Sequence, residues 1–252
     1  MTAPVFFLSS TTLADITPGS EVTLDGPEAR HAIVVQRRRT GDLIDLVDGA
    51  GLRVSVRIRD IDNGTARAIV EAIHREDEPS VRLVLVQALA KGDRDERAIS
   101  VATETGVDEI VPWQAERSIV VWRGDRAAKS RARWNAAVDA ATKQSRRARR
   151  PVVHDEVDST GLAAMVRTIT AGGGAALVLH ATAAERFADV PLPTTGKVLI
   201  AIGPEGGISD RELADLEAAG ARPVRLGPHI LRTSTAGPIA VAMAAERLGR
   251  WA

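Results

Sequence analysis

The chain has 252 residues, 44% of them hydrophobic and 26% charged, a globular composition that excludes intrinsic disorder and collagen-like structure. Lys plus Arg and Asp plus Glu each number 33, so the net charge is zero and a histone-like polycation is excluded, although a balanced total leaves room for a local basic face. Cysteine is absent, which removes disulfides, Cys-ligated zinc, iron–sulfur clusters and a thiol nucleophile.

The first twenty residues have no basic start and no apolar core of signal-peptide length. No run reaches the ~18 apolar residues of a membrane helix. The expectation is a soluble cytoplasmic protein.

Up to residue 73 the pattern is mostly β. Short apolar runs at 5–8, 20–24 and 43–47 are bounded by Gly, Pro and Asp. Residues 52–59 alternate, with Val54, Val56 and Ile58 on one side and Arg53, Ser55, Arg57 and Arg59 on the other. A further strand is expected at 65–73. One helix, from Pro27 to about Val35, interrupts them with proline in its first turn. Short strands with one helix predict a small barrel.

From residue 80 strands and helices alternate. The apolar runs 81–90, 175–180 and 197–203 read as fully buried strands. Shorter strands are expected at 109–113, 117–121 and 224–227. Helices are expected at 94–105, 127–147, 209–219 and 237–249. This rhythm predicts an α/β layer on a parallel sheet. The charged, proline-containing stretch 74–80 marks the boundary, giving domains 1–73 and 74–252.

Two segments carry chemistry. In the first, 197–220, a buried strand runs into Gly203-Pro204-Glu205-Gly206-Gly207, and Ser209 with Glu212 forms an S-x-x-E capping box that starts a helix. Glycines at the C-terminal end of a strand let backbone approach a ligand, and ligands of open α/β sheets sit there. In the second, 224–249, a strand runs into Gly227-Pro228 and a polar Arg-Thr-Ser-Thr stretch. Thr235 is the expected N-cap and Pro238 suits the first turn of an Ala-rich helix. A tight turn in the first segment and a capped core helix in the second are the bland alternatives. Neither segment is a P-loop or a G-x-G-x-x-G loop.

Charge is the third feature. Between Arg126 and Arg150 nine basic residues face one acid, Asp139, and Arg37, Arg38 and Arg39 form a second run near Arg30 and His31. Segregated basic charge in a neutral chain is the footprint of a phosphate backbone, although a solvated helix face gives the same run. Aromatic residues are 3% and tyrosine is absent, so recognition leans on arginine and shape instead of stacking. The five histidines show no metal-ligand spacing, and no metal is expected.

The motifs IGPEGGISDRE (202–212), LGPHILRTSTA (226–236), ATETGVDEIVPWQAERS (102–118), the stretch from Trp134 to Arg147 and HAIVVQRRRTGD (31–42) resemble the RsmE family of 16S rRNA uracil-N3 methyltransferases, of the SPOUT class. The likeness spans nearly the whole chain. It implies an N-terminal PUA-like β-barrel that holds RNA, and a C-terminal α/β domain whose last segments form a trefoil knot. It also implies a homodimer that binds S-adenosylmethionine in the knotted loops and methylates one uridine in the decoding region of the 30S subunit.

Carried over by position, the cofactor residues are Leu179, His180, Gly203, Pro204, Gly207, Leu226, Gly227, Ile230, Leu231, Thr235 and Ala236. RNA-binding residues are Arg30, Arg37, Arg38, Arg39, Arg146, Arg147, Arg149 and Arg150. Arg232 is the candidate that stabilises the uracil anion. Glu205 either accepts the proton or holds its loop. The chain carries His229 and Ser234 where the family pattern has Arg and Glu. A SPOUT enzyme acting on a ribose 2′-oxygen and a non-catalytic rRNA-binding assembly factor are the other readings.

Overall fold

The structure is a computed structural model and describes residues 3–13 and 15–251. Two compact units divide the chain. The first runs to Glu78 and takes in Thr142–Arg150; the second comprises Pro79–Ala141 and everything from Pro151.

The first unit contains β1 (Val5–Phe7), α1 (Ser10–Leu13), β2 (Glu21–Leu24), α2 (Gly26–Arg30), β3 (Leu43–Val47), β4 (Leu52–Asp62) and β5 (Thr65–Arg75). They form a sheet of order β1-β3-β4-β5-β2, with β1 parallel to β3 and the other pairs antiparallel. Among the described residues β1 and β2 end this path at opposite edges, so the sheet is open where a small barrel was expected. The alternation in β4 does its expected work: Val54, Val56 and Ile58 enter a core with Phe6, Ile44 and Leu46. The helix expected to reach Val35 is in two parts, because α2 passes into a π-helical turn at His31–Val35. The segment 142–150 lies against the turn between β3 and β4. Arg150 donates its backbone N–H to Gly49 O at 2.9 Å. Arg53 Nη2 donates to Arg146 O at 2.8 Å.

The second unit contains β6 (Val81–Ala88), α3 (Arg94–Glu104), β7 (Glu109–Gln114), the greater part of α4 (Asp125–Gln144), β8 (Val152–Val153), β9 (Val157–Asp158), α5 (Ser159–Ala171), β10 (Ala175–Leu179), β11 (Gly196–Ile202), α6 (Asp210–Ala218), β12 (Arg222–Val224) and α7 (Thr233–Arg247). The sheet is parallel throughout, in the order β12-β10-β11-β6-β7-β8, with β9 also beside β7. The strands read as continuous apolar runs because both faces are covered. Leu83, Leu85, Val198 and Ile200 pack on one face with residues of α3, α4 and α7. Val84, Val86, Leu199 and Ala201 pack on the other with residues of α5 and α6.

Several elements differ from the reading of the sequence. Residues 117–121 are not a strand. The edges of β7 are already taken by β6 and by β8 and β9, the chain turns back where Ser118 N–H meets Ala115 O at 3.0 Å, and Ile119 is 74% exposed. Helix α4 stops at Gln144, not Arg147, and Arg146 adopts the left-handed region at φ +59°, which no helix continues through. Strand β12 is 222–224, so Leu226 and Gly227 lie in the loop beyond it. Helix α7 begins at Thr233, four residues before Gly237, and its N-cap is Arg232, not Thr235. Pro238 therefore lies inside the helix. Helix α5 has no counterpart in the sequence reading.

Candidate functional site

Three neighbouring strands of the parallel sheet end at one level. Leu179 of β10 pairs with Ile202 of β11 on one side and with Val224 of β12 on the other. The loops that leave these three ends, together with the start of α7, enclose a cavity of about 680 Å³. Its volume falls within the range of about 300–1,000 Å³ usual for small-molecule sites.

The first loop follows β11. Gly203 must lack a side chain, since a Cβ there would lie 2.6 Å from Ile208 Cγ1. Gly207 turns the chain at φ +73° and donates its N–H to Pro204 O at 2.9 Å. The expected capping box starts α6: Ser209 Oγ accepts from Glu212 N at 3.1 Å, and Glu212 Oε2 accepts from Ser209 N at 3.0 Å. The buried Glu212 carboxylate also accepts from Glu116 N at 2.8 Å and from the Ser159 hydroxyl at 2.5 Å. The end of the loop is thus held by the segment that follows β7 and by the start of α5.

Glu205 accepts a hydrogen bond from Arg94 Nη1 at 2.5 Å. Burial opposes its ionisation, but the Arg94 hydrogen bond, the backbone N–H groups of Glu205 and Lys91 and the Arg94 charge together outweigh that, and the carboxyl is held below its ordinary range. Arg117 donates to Gly206 O at 3.2 Å and lines the cavity with Arg94. Neither arginine was singled out from the sequence. The available signal was their place just past β6 and β7, where ligands of parallel sheets collect.

The second loop follows β12. Leu226, Gly227, Ile230 and Leu231 line the cavity, with Leu179 of β10, His180 just after it, and Ala236 from α7. Gly203, Pro204, Glu205, Gly207 and Arg232 line it as well. Thr235 does not. As the third residue of α7 it points to solvent, because the helix starts two residues before it. Arg232 is exposed at the cavity wall, and its guanidinium makes no ion pair among the described residues. His229 also lines the wall, while Ser234 lies outside it.

The cavity suits a nucleoside-sized cofactor. Gly227 is not in the left-handed region, and a Cβ there would meet nothing within 4 Å, so neither the turn nor the packing requires glycine. The room it leaves belongs to the cavity. Apolar walls from Leu179, Ile202, Leu226 and Leu231 can sandwich a flat base, and backbone groups at three strand ends can read its edge.

The arginines expected to bind RNA all fall in the first unit, 30–39 and 142–150. Arg30, Arg37 and Arg39 are exposed. The rest of the basic run is split and partly neutralised. Arg131 pairs with Asp155, Lys143 with Glu28, and Arg133 with Glu96 at 3.6 Å. Arg149 Nη2 donates to Glu76 O at 2.6 Å, which diverts it to structure. Among the described residues no group of acidic and histidine side chains could hold a metal, and no helix is long and apolar enough to cross a membrane.

A parallel sheet whose last loops build the site is the layout of an RNA methyltransferase. The family model described as an RNA methyltransferase domain matches residues 76–245. The ribosomal RNA small subunit methyltransferase E of Mycobacterium bovis is 42% identical, covering 100% of this chain and 94% of that protein. The protein of the same name from Bacillus subtilis is 28% identical, covering 85% of each. A crystal structure of ribosomal RNA small subunit methyltransferase E from Neisseria gonorrhoeae, bound to S-adenosyl methionine, superposes with a TM-score of 0.84 at 30% identity, covering 98% of each chain. The chain belongs to the ribosomal RNA small subunit methyltransferase E family.

Proposed function

We propose that the protein methylates N3 of one uridine in the decoding region of 16S rRNA, using S-adenosylmethionine and acting on the assembled 30S subunit. The observation that carries this reading is the cavity at the aligned ends of β10, β11 and β12. Leu179, His180, Gly203, Pro204, Gly207, Leu226, Gly227, Ile230, Leu231 and Ala236 would hold the cofactor, which supplies an electrophilic methyl group on a sulfonium. The relatives named for small-subunit rRNA support rRNA as the substrate, and the relative crystallised with S-adenosyl methionine supports the cofactor.

Uracil N3 carries a proton and is a poor nucleophile until that proton leaves. Loss of that proton to solvent spreads negative charge over N3, O2 and O4, and the charge would be consumed as N3 takes the methyl group, leaving a neutral base and a thioether. Arg232, at the cavity wall and in no ion pair among the described residues, would stabilise that charge. Of the two roles open to Glu205 we assign it the loop-holding one, since a carboxylate bound by Arg94 and held below its ordinary range is a weak base. The uridine must leave its stack to reach the cavity.

The first unit would act as the PUA-like part that grips rRNA, with Arg30, Arg37, Arg38, Arg39, Arg146, Arg147 and Arg150 against phosphates. The same reading would place a trefoil knot in the last segments, where α7 packs on β6 and β11. A cytoplasmic homodimer fits the same reading. Labelled S-adenosylmethionine and 30S subunits from cells lacking the modification provide the test. Label recovered as N3-methyluridine supports the proposal. A 2′-O-methyl product, or no transfer, overturns it.

A further inference from the structure

Gln87, the penultimate residue of β6, is fully buried, at 0% exposure, in a strand whose residues from Leu83 to Ala88 are otherwise apolar. Its Nε2 donates to the Thr233 hydroxyl at 2.8 Å, and Thr233 Oγ1 donates in turn to Gly203 O at 3.0 Å. A hydroxyl has one proton to give. Gly203 O can only accept, so the proton goes there and Thr233 must accept from Gln87. This fixes the orientation of the amide. Gln87 Oε1 is then left with no hydrogen-bond partner. It faces α7 at Gly237, where an added Cβ would lie 3.2 Å from Oε1 and 3.2 Å from Leu85 Cδ1.

The core thus carries a polar side chain with one buried acceptor unsatisfied, which costs stability. What it secures is a join. Gly203 opens the loop after β11, and Thr233 closes the loop after β12. The N-cap of α7, Arg232, supplies no side-chain cap, so this relay is what holds the first residue of the helix against the end of β11.

We infer that Gln87 is a positioning residue: through the Thr233 hydroxyl it sets the spacing of the two loops that form the cofactor cavity. It acts through Thr233 and is not itself part of the cavity wall. The inference rests on the reading that this cavity takes S-adenosylmethionine.

Gln87→Met, which removes both the donor and the unsatisfied acceptor at similar length, separates positioning from mere structure. Thermal unfolding without cofactor and calorimetric titration with S-adenosylmethionine are measured on the full-length protein. The expected result is a melting temperature at or above that of the parent, with affinity reduced about tenfold, the size of one net hydrogen bond. Thr233→Ser should keep the parent affinity, and Thr233→Val should lose it to the same extent as Gln87→Met. Affinity of Gln87→Met within about twofold of the parent overturns the inference. So does a loss of affinity that follows a lowered melting temperature and appears equally in Thr233→Ser. If the parent itself gives no heat with S-adenosylmethionine, the cofactor reading fails and the inference falls with it.

Discussion

Arg94, the first residue of α3, donates its guanidinium to Glu205 in the glycine loop after β11, at 2.5 Å. This hydrogen bond ties the loop to a helix that follows a different strand. It supports the proposed role of Glu205 as a brace, and a brace has a different signature from a base. Glu205→Gln should weaken cofactor binding by about threefold and leave the maximal rate nearly unchanged, whereas loss of a general base would cost about 10²–10⁴ in rate. Steady-state kinetics, with KM and kcat separated, decide between them. The carboxyl's ordinary value is 4.5 and its folded value lies lower, so it stays ionised from neutral pH down past 4.5. Any acid limb of the rate profile near pH 6 should therefore persist in Glu205→Gln.

On the proposed reading Arg232 stabilises the negative charge that uracil acquires when N3 loses its proton. Arg232→Ala should cut methylation by at least about tenfold and leave S-adenosylmethionine binding near that of the parent, since removing one stabilising donor acts on the transition state. Single-turnover rates alongside calorimetry would show it. Unchanged turnover would remove Arg232 from the chemistry.

Two glycines in the site should respond in opposite ways. Gly227→Val places its side chain into open cavity space, so it should abolish cofactor binding with little change in melting temperature. Gly203→Ala drives a Cβ to 2.6 Å from Ile208 Cγ1 and should destabilise the fold by about 1–3 kcal/mol, the usual cost of overpacking. Chemical denaturation and cofactor titration of both variants test the pair.

At the opposite end of the parallel sheet Glu109, the first residue of β7 and only 4% exposed, meets Lys197 Nζ at 2.7 Å and His154 Nε2 at 2.9 Å, with Arg82 at 3.7 Å. Burial pushes its pKa up, but the Lys197 and His154 hydrogen bonds and charges prevail, and it lies below 4.5. A carboxyl with a depressed folded pKa stabilises above its unfolded value and loses that contribution as pH falls through the folded one. Lys197→Met should cost about 1–3 kcal/mol at neutral pH, because a buried acceptor loses a charged donor. It should also move acid unfolding to higher pH. Denaturation at pH 7 and pH 4 measures both.

The basic residues of the first unit should act through phosphate. Replacing Arg37 and Arg39 by alanine should weaken binding to a decoding-region rRNA fragment. The slope of log affinity against log salt should fall by about 0.7–0.9 for each phosphate no longer neutralised. Arg149→Ala should instead lower the stability of that unit, since its guanidinium is spent on Glu76 O. Filter binding at several salt concentrations distinguishes the two.

Much of this was legible in the residues because the signals are local. The buried strands 81–88, 175–179 and 196–202 announce themselves as apolar runs, the Ser209–Glu212 capping box starts its helix where expected, and the glycine loops sit at strand ends. Family likeness then pointed to the cofactor and the substrate. Helix α5 was locally legible but unread: Asp158 accepts from Gly161 N at 2.8 Å as an N-cap, and Leu162 and Val166 repeat at helical spacing.

What the residues by themselves determined is the order of elements and the chemistry of the loops. What only the tertiary structure decided is which residues meet. Residues 117–121 look like a strand, yet the edges of β7 were already taken. The positive run 126–150 looks like one face, yet it divides between the two units and meets acids from elsewhere in the chain. Gln87 and Thr233 are separated by 146 positions, as Arg94 and Glu205 are by 111. Propensity and periodicity act over a few residues, whereas partnership between distant side chains is set by strand order and by the space that packing leaves.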